Sequence, residues 1–80
     1  MDQLQPDTIL IHRIDPTRNM ARFYALSIEP SLFGGSSLVR NWGRIGTRGR
    51  YRIELFETQE QAEISLGRIL KAKRRRGYCG

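Results

Sequence analysis

The chain has 80 residues, 39% of them hydrophobic and 28% charged, with a formal net charge of +6. That length fits one domain, excludes two, and leaves little material for an enclosed active-site cavity beside a core. One cysteine (Cys79) and one histidine (His12) exclude an internal disulfide and a zinc site of the usual Cys/His kind. No apolar run approaches the ~20 residues of a membrane helix.

Residues 1–7 are polar and acidic and read as a flexible lead-in to a single domain over 8–80. They lack the basic-then-apolar build of a signal peptide, which sets a cytoplasmic location as the expectation. Thr8 to Ile14 predicts a first strand, with Ile9 and Ile11 on one face and Leu10 and Ile14 on the other. Asp15-Pro16-Thr17-Arg18-Asn19 is turn chemistry. Met20 to Ile28 predicts the returning strand, with Met20, Tyr24, Leu26 and Ile28 on one face. Glu29-Pro30 ends it, because proline removes a ladder donor. A loop follows through Ser36, and Ser37 to Ile45 predicts a third strand in which Leu38, Arg40, Trp42 and Arg44 share a face. Gly46-Thr47-Arg48-Gly49 is a short turn, and Arg50 to Phe56 returns with Tyr51, Ile53 and Leu55 on one face.

Thr58-Gln59-Glu60-Gln61 fits a capping box. Ala62, Leu66, Ile69 and Leu70 then fall on one helical face. The helix is expected to stop around Arg76, with Gly77 just past its end. Strands first and one helix last imply the α+β class: an antiparallel sheet of about four strands with a C-terminal helix packed across it.

Charge is placed unevenly. Residues 1–39 carry three arginines against four carboxylates, and residues 40–80 carry eleven Lys/Arg against four glutamates. Twelve of the fourteen basic residues are arginine, whose planar fork suits phosphate and stacks on bases. A basic half of this kind is the footprint of a polyanion binder.

Within it, Arg40, Trp42 and Arg44 alternate on one strand face. Two readings stand: a surface on which Trp42 stacks against a base or sugar while the arginines hold phosphates, or a core tryptophan with its arginines snorkelling outward. Gly43, Gly46 and Gly49 also carry two readings. They either let backbone amides approach phosphate, or, for Gly46 and Gly49, only shape the turn. Lys71, Lys73, Arg74, Arg75 and Arg76 exceed what the helix dipole needs, which favours phosphate contacts over a merely solvated helix end. Arg48 and Arg50 beside the turn are further phosphate candidates, whereas Arg52 suits a solvated strand face. His12 reads as a partly buried strand residue and Cys79 as an incidental exposed thiol. No spacing of carboxylates, histidine or nucleophiles marks a catalytic or metal site, so neither enzyme activity nor a cofactor is expected.

Trp42-Gly43-Arg44-Ile45-Gly46, with Gly49 three residues on, resembles the signature of the WGR domain, which occurs in poly(ADP-ribose) polymerases and in stand-alone or fused bacterial proteins. Asn19, Phe23, Tyr24, Leu26, Phe56, Ala62, Leu66, Lys73 and Gly77-Tyr78 extend the resemblance over roughly residues 18–78. In those polymerases the domain binds DNA near a strand break, the motif tryptophan packing on a terminal nucleotide and the motif arginine contacting DNA or a neighbouring domain. The resemblance therefore implies stacking by Trp42 and a phosphate or protein contact by Arg44. These 80 residues hold no catalytic domain like that of the polymerases, so neither a relay role for Arg44 nor a part in ADP-ribosylation is expected of them. The expected partner is DNA, with RNA as a variant. The alternative is a protein-interaction adaptor that docks an acidic partner through Trp42 and Arg44.

Overall fold

A computed structural model of the protein describes residues 8–32 and 34–80; the lead-in expected over residues 1–7 lies outside the described residues. Strand β1 (Ile9–Asp15) and strand β2 (Met20–Pro30) form the first hairpin, in register from Ile9 opposite Leu26 to Asp15 opposite Met20. The turn between them is a single 3-10 turn, Pro16–Arg18. Asp15 caps it: its Oδ1 accepts from the Thr17 amide (3.2 Å) and the Thr17 hydroxyl (2.6 Å). Asn19 closes the turn in the left-handed region (φ 52°), a conformation asparagine tolerates better than most residues.

Strand β2 runs two residues further than expected, with Pro30 pairing opposite Ser36. A proline at the last position forfeits a donor only where the ladder is already ending. Strand β3 (Ser36–Arg44) and strand β4 (Arg50–Phe56) complete an antiparallel sheet of order β1-β2-β3-β4.

Helix α1 (Gln59–Arg75) crosses one face of this sheet. Its N-terminus is the expected capping box: the Gln61 amide donates to Thr58 Oγ1 (3.1 Å), and Gln61 Oε1 accepts from the Thr58 amide (3.3 Å). A cap of this kind contributes about 1 kcal/mol. The C-terminus is a Schellman closure. The Gly77 amide donates to the Arg74 carbonyl and the Tyr78 amide to the Lys73 carbonyl, both at 3.1 Å. Gly77 sits at φ 106°, which a side chain would strain. The closure turns Tyr78 back under the helix and brings Cys79 to the edge of β1. There the Cys79 amide donates to the His12 carbonyl (2.9 Å) and the His12 amide to the Cys79 carbonyl (2.8 Å).

The side-chain period of two splits the sheet into unequal faces. Under the helix lie Ile11, Tyr24, Leu26 and Leu38, buried with Ala62 and Tyr78; Ile9, Ile28, Trp42, Phe56, Leu66, Ile69 and Leu70 pack around them. Fully burying a side chain such as Leu26 contributes ~1.5–3 kcal/mol. Tyr51, Ile53 and Leu55 project from the opposite, uncovered face and are exposed. No helix among the described residues is long and apolar enough to cross a membrane.

Candidate nucleic-acid interface

The β3–β4 turn is built so that two backbones touch. A Cβ on Gly43 would stand 2.7 Å from the Gly49 Cα, and one on Gly49 would fall onto the Trp42 carbonyl. Gly49 is also left-handed (φ 72°), so any larger residue there is excluded twice over. The turn is tied to β3 by Asn41, whose Nδ2 donates to the Arg48 carbonyl (3.0 Å) and the Arg50 carbonyl (2.9 Å). The Thr47 hydroxyl adds a bond to the Arg44 carbonyl (2.8 Å). Gly43 and Gly49 thus have a steric duty in closing the hairpin.

Trp42 lies on the helix-covered face and is half-buried. Its ring stacks on Tyr24, its partner across the β2–β3 ladder, at 5.7 Å between centroids and 16° between planes. Tyr78 meets Tyr24 edge-on at 6.4 Å. Aromatic pairs of this geometry contribute about 0.5–1.5 kcal/mol each beyond area burial. One part of the ring is thus core, as the second reading of Trp42 expects, and the rest borders an opening.

Cations surround these rings. Lys73 Nζ stands 4.5 Å from the Tyr24 centroid and 5.5 Å from that of Tyr78. The Arg40 guanidinium lies 5.9 Å from Tyr24 and 5.8 Å from Trp42. Arg40 is also anchored, since its Nε donates to Tyr24 Oη (2.8 Å) and its Nη1 reaches Glu54 Oε1 at 3.4 Å. That anchoring explains how an arginine sits beside a packed tryptophan: its charge is balanced by Glu54 and its Nε is bonded to Tyr24. Arg44, at the exposed end of β3, reaches back to the first hairpin. Its Nη1 donates to the Asn19 carbonyl (3.2 Å) and its Nη2 to Asn19 Oδ1 (3.4 Å).

Arg22, Trp42, Gly43, Arg44, Lys73 and Tyr78 line one cleft of about 480 Å³ between the sheet and the helix C-terminus. None of the six is acidic. The pKa of Lys73 is lowered from 10.5, first by burial and then by the positive charges of Arg76, Arg40 and Arg22. A bound anion would relieve that mutual repulsion. Of the sequence candidates, the fold brings Trp42, Gly43, Arg44 and Lys73 to the cleft. Arg40 stands behind the rings. Lys71, Arg74, Arg75 and Arg76 are exposed on the last turns of α1 and beyond, and Arg48 and Arg50 on the β3–β4 turn and the start of β4. Arg22 and the wall formed by Tyr78 were not singled out from the sequence as site residues. The available signal for Arg22 was its place in the alternation Met20, Arg22, Tyr24, Leu26, Ile28, a charge interrupting an otherwise apolar row.

The chain belongs to the WGR family: the WGR domain matches residues 7–79. It is a family of nucleic-acid-binding modules rather than of catalysts. The chain is 50% identical over 74 residues to the uncharacterized protein y4dW of Sinorhizobium fredii (strain NBRC 101917 / NGR234). That stretch covers 92% of this chain and 36% of the relative, so the chain spans about a third of that protein's length. No solved structure matches the chain.

Proposed function

We propose that this domain binds DNA, at or near strand ends, in the cleft between β2, β3 and the end of α1. The observation that carries this reading is the convergence of Arg22, Arg44 and Lys73, from three different elements, on one opening bordered by Trp42 and Tyr78 and free of carboxylates. A phosphate group satisfies the three cations, and the uncovered part of the Trp42 ring packs against the adjoining sugar or base. Lys71, Arg74, Arg75 and Arg76 on one side, and Arg48 and Arg50 on the other, hold flanking phosphates. Such contacts position the strand without reading its sequence.

Trp42 is the only tryptophan, so its fluorescence reports the site directly. Titration with short duplexes having blunt, nicked or 5′-phosphorylated ends is expected to change Trp42 emission saturably. The affinity is expected to fall steeply with salt, by about 0.9 logarithmic units per tenfold rise in salt for each phosphate neutralised. Absence of binding at low salt, or binding that leaves Trp42 emission unchanged, would remove the basis for the reading. Stronger binding of a matched RNA would reassign the nucleic acid.

A further inference from the structure

The two edges of the sheet are finished differently. At the outer edge of β1 the backbone of Cys79 pairs with that of His12 in a single two-bond bridge. Strand β4 is the last strand on the other side, and among the described residues no strand pairs with its outer edge. In an antiparallel pair, alternate residues aim both backbone groups away from the partner, so the outer edge of β4 presents a row of open donors and acceptors. Natural edges are blunted by prolines, bulges, covering elements or charged side chains, inward-pointing ones included. Arg50–Phe56 has no proline; its charges, Arg50, Arg52 and Glu54, share the face that the helix covers, and its other face is Tyr51, Ile53 and Leu55, at 68%, 61% and 71% exposure.

We propose that β4 is a homodimerisation edge, pairing antiparallel with β4 of a second copy about a two-fold axis at Ile53. This goes beyond nucleic-acid binding and does not rest on it. Charge complementarity in the strand Arg50-Tyr51-Arg52-Ile53-Glu54-Leu55-Phe56 selects the second copy as the occupant. Centred on Ile53, Arg52 of each copy lies opposite Glu54 of the other, Tyr51 lies opposite Leu55, and Ile53 meets its own copy. No like charges are opposed. Centring the axis one residue earlier sets Arg52 against Arg52, and one residue later sets Glu54 against Glu54. Opposite charges directly across a ladder stabilise it and like charges do the reverse, so one register is selected. Arg52 is largely exposed and makes a 3.9 Å contact with Glu54 Oε2 of its own chain, while Glu54 Oε1 is held by Arg40.

An isologous pair of this kind closes on itself and leaves no free β4 edge, which stops further strand addition. The axis runs perpendicular to the sheet, so both copies of α1 lie on the same side. The apolar row continues across the junction on the other side, covering part of each exposed triplet with that of the second copy.

The test is sedimentation equilibrium of the chain without nucleic acid, over micromolar to millimolar concentrations, with far-UV circular dichroism to check the fold. The wild type is expected to approach twice the chain mass. Arg52→Glu alone opposes carboxylates and Glu54→Arg alone opposes guanidinium groups, each twice per dimer, so each is expected to weaken association about tenfold or more. An equimolar mixture of the two variants restores both opposite-charge pairs and is expected to recover the dimer. Ile53→Lys, at an exposed position, is expected to give a folded monomer. It decides the matter should Glu54→Arg disturb the Arg40 contact. A wild type that stays monomeric throughout, a folded Ile53→Lys variant that still dimerises, or folded single variants that do not recover on mixing would each overturn the proposal.

Discussion

The groove between α1 and the sheet opens into a cleft at each end, and the two are chemical opposites. At the helix N-terminus, Ile28, Glu29, Pro30, Gly35, Ser36, Gln59, Glu63 and Leu66 surround about 520 Å³, with two carboxylates and no cation. At the helix C-terminus, the smaller cleft has three cations, two aromatic rings and no carboxylate. The helix dipole alone would favour an anion at the first and a cation at the second. Side-chain charge reverses that preference at both ends. A terminal dipole is equivalent to roughly half an elementary charge and fades within a turn, so Arg22, Arg44 and Lys73 outweigh it. The two clefts thus differ in the sign of their lining far more than in size.

Discharging the basic cleft is expected to have the largest effect. Replacing Arg22, Arg44 and Lys73 together (Arg22→Ala, Arg44→Ala, Lys73→Met) is expected to lower DNA affinity about a thousandfold or more, at roughly 1.5 kcal/mol or more for each charged contact. The magnitude of the salt slope is expected to fall by about one, because the three cations hold one phosphate. Trp42→Ala comes next. Loss of base stacking at ~1–3 kcal/mol predicts a fall of about ten- to a hundredfold, with the salt slope unchanged because no phosphate contact is removed. Both are read by fluorescence anisotropy of a labelled duplex on folded protein.

Glu63→Gln at the opposite end sharpens the contrast. It is expected to change DNA affinity by less than about threefold, a steering effect that vanishes at high salt. A large gain or loss there would mean that the acidic end takes part.

The smallest expected effect is on stability against pH. Folding lowers the pKa of Lys73, so the unfolded chain holds that proton more tightly. Between the lowered value and 10.5, stability is then expected to rise with pH as the penalty of the buried ammonium is relieved; below the lowered value the penalty is present in full. Thermal melts across the alkaline range should show a gain in the wild type, relative to Lys73→Met, over that window. The reverse slope would contradict the environment described for Lys73.

Much of the fold was legible because its punctuation is local. Asp15-Pro16, the Thr58/Gln61 box and Gly77 each act within a few residues, and they bound runs rich in apolar and β-branched residues. What local pattern does not give is which face of a strand the helix will cover. The triplet Tyr51, Ile53, Leu55 has the pattern of a core row and is exposed, whereas Arg40, Trp42 and Arg44 have the pattern of a surface row and begin beside Leu38 on the covered face. The helix selects its face through Ile11, Tyr24, Leu26 and Leu38, a decision made by four elements together. The cleft was half legible for the same reason. Trp42, Gly43 and Arg44 are adjacent in sequence, and Lys73 stood out as part of a charge cluster. Arg22 and Tyr78 join them only once β2 is paired with β3 and the Schellman closure has turned the chain.

The central claim is that the basic cleft, and not the acidic one or the uncovered sheet face, receives DNA. An amide-detected NMR titration of the chain with a short 5′-phosphorylated duplex tests it most directly. Shifts centred on Arg22, Trp42, Gly43, Arg44, Lys73 and Tyr78, with weaker ones along Arg74–Arg76 and Arg48–Arg50, are the predicted result. Shifts centred on Glu29 and Glu63, or on Tyr51, Ile53 and Leu55, with the basic cleft undisturbed, would contradict it.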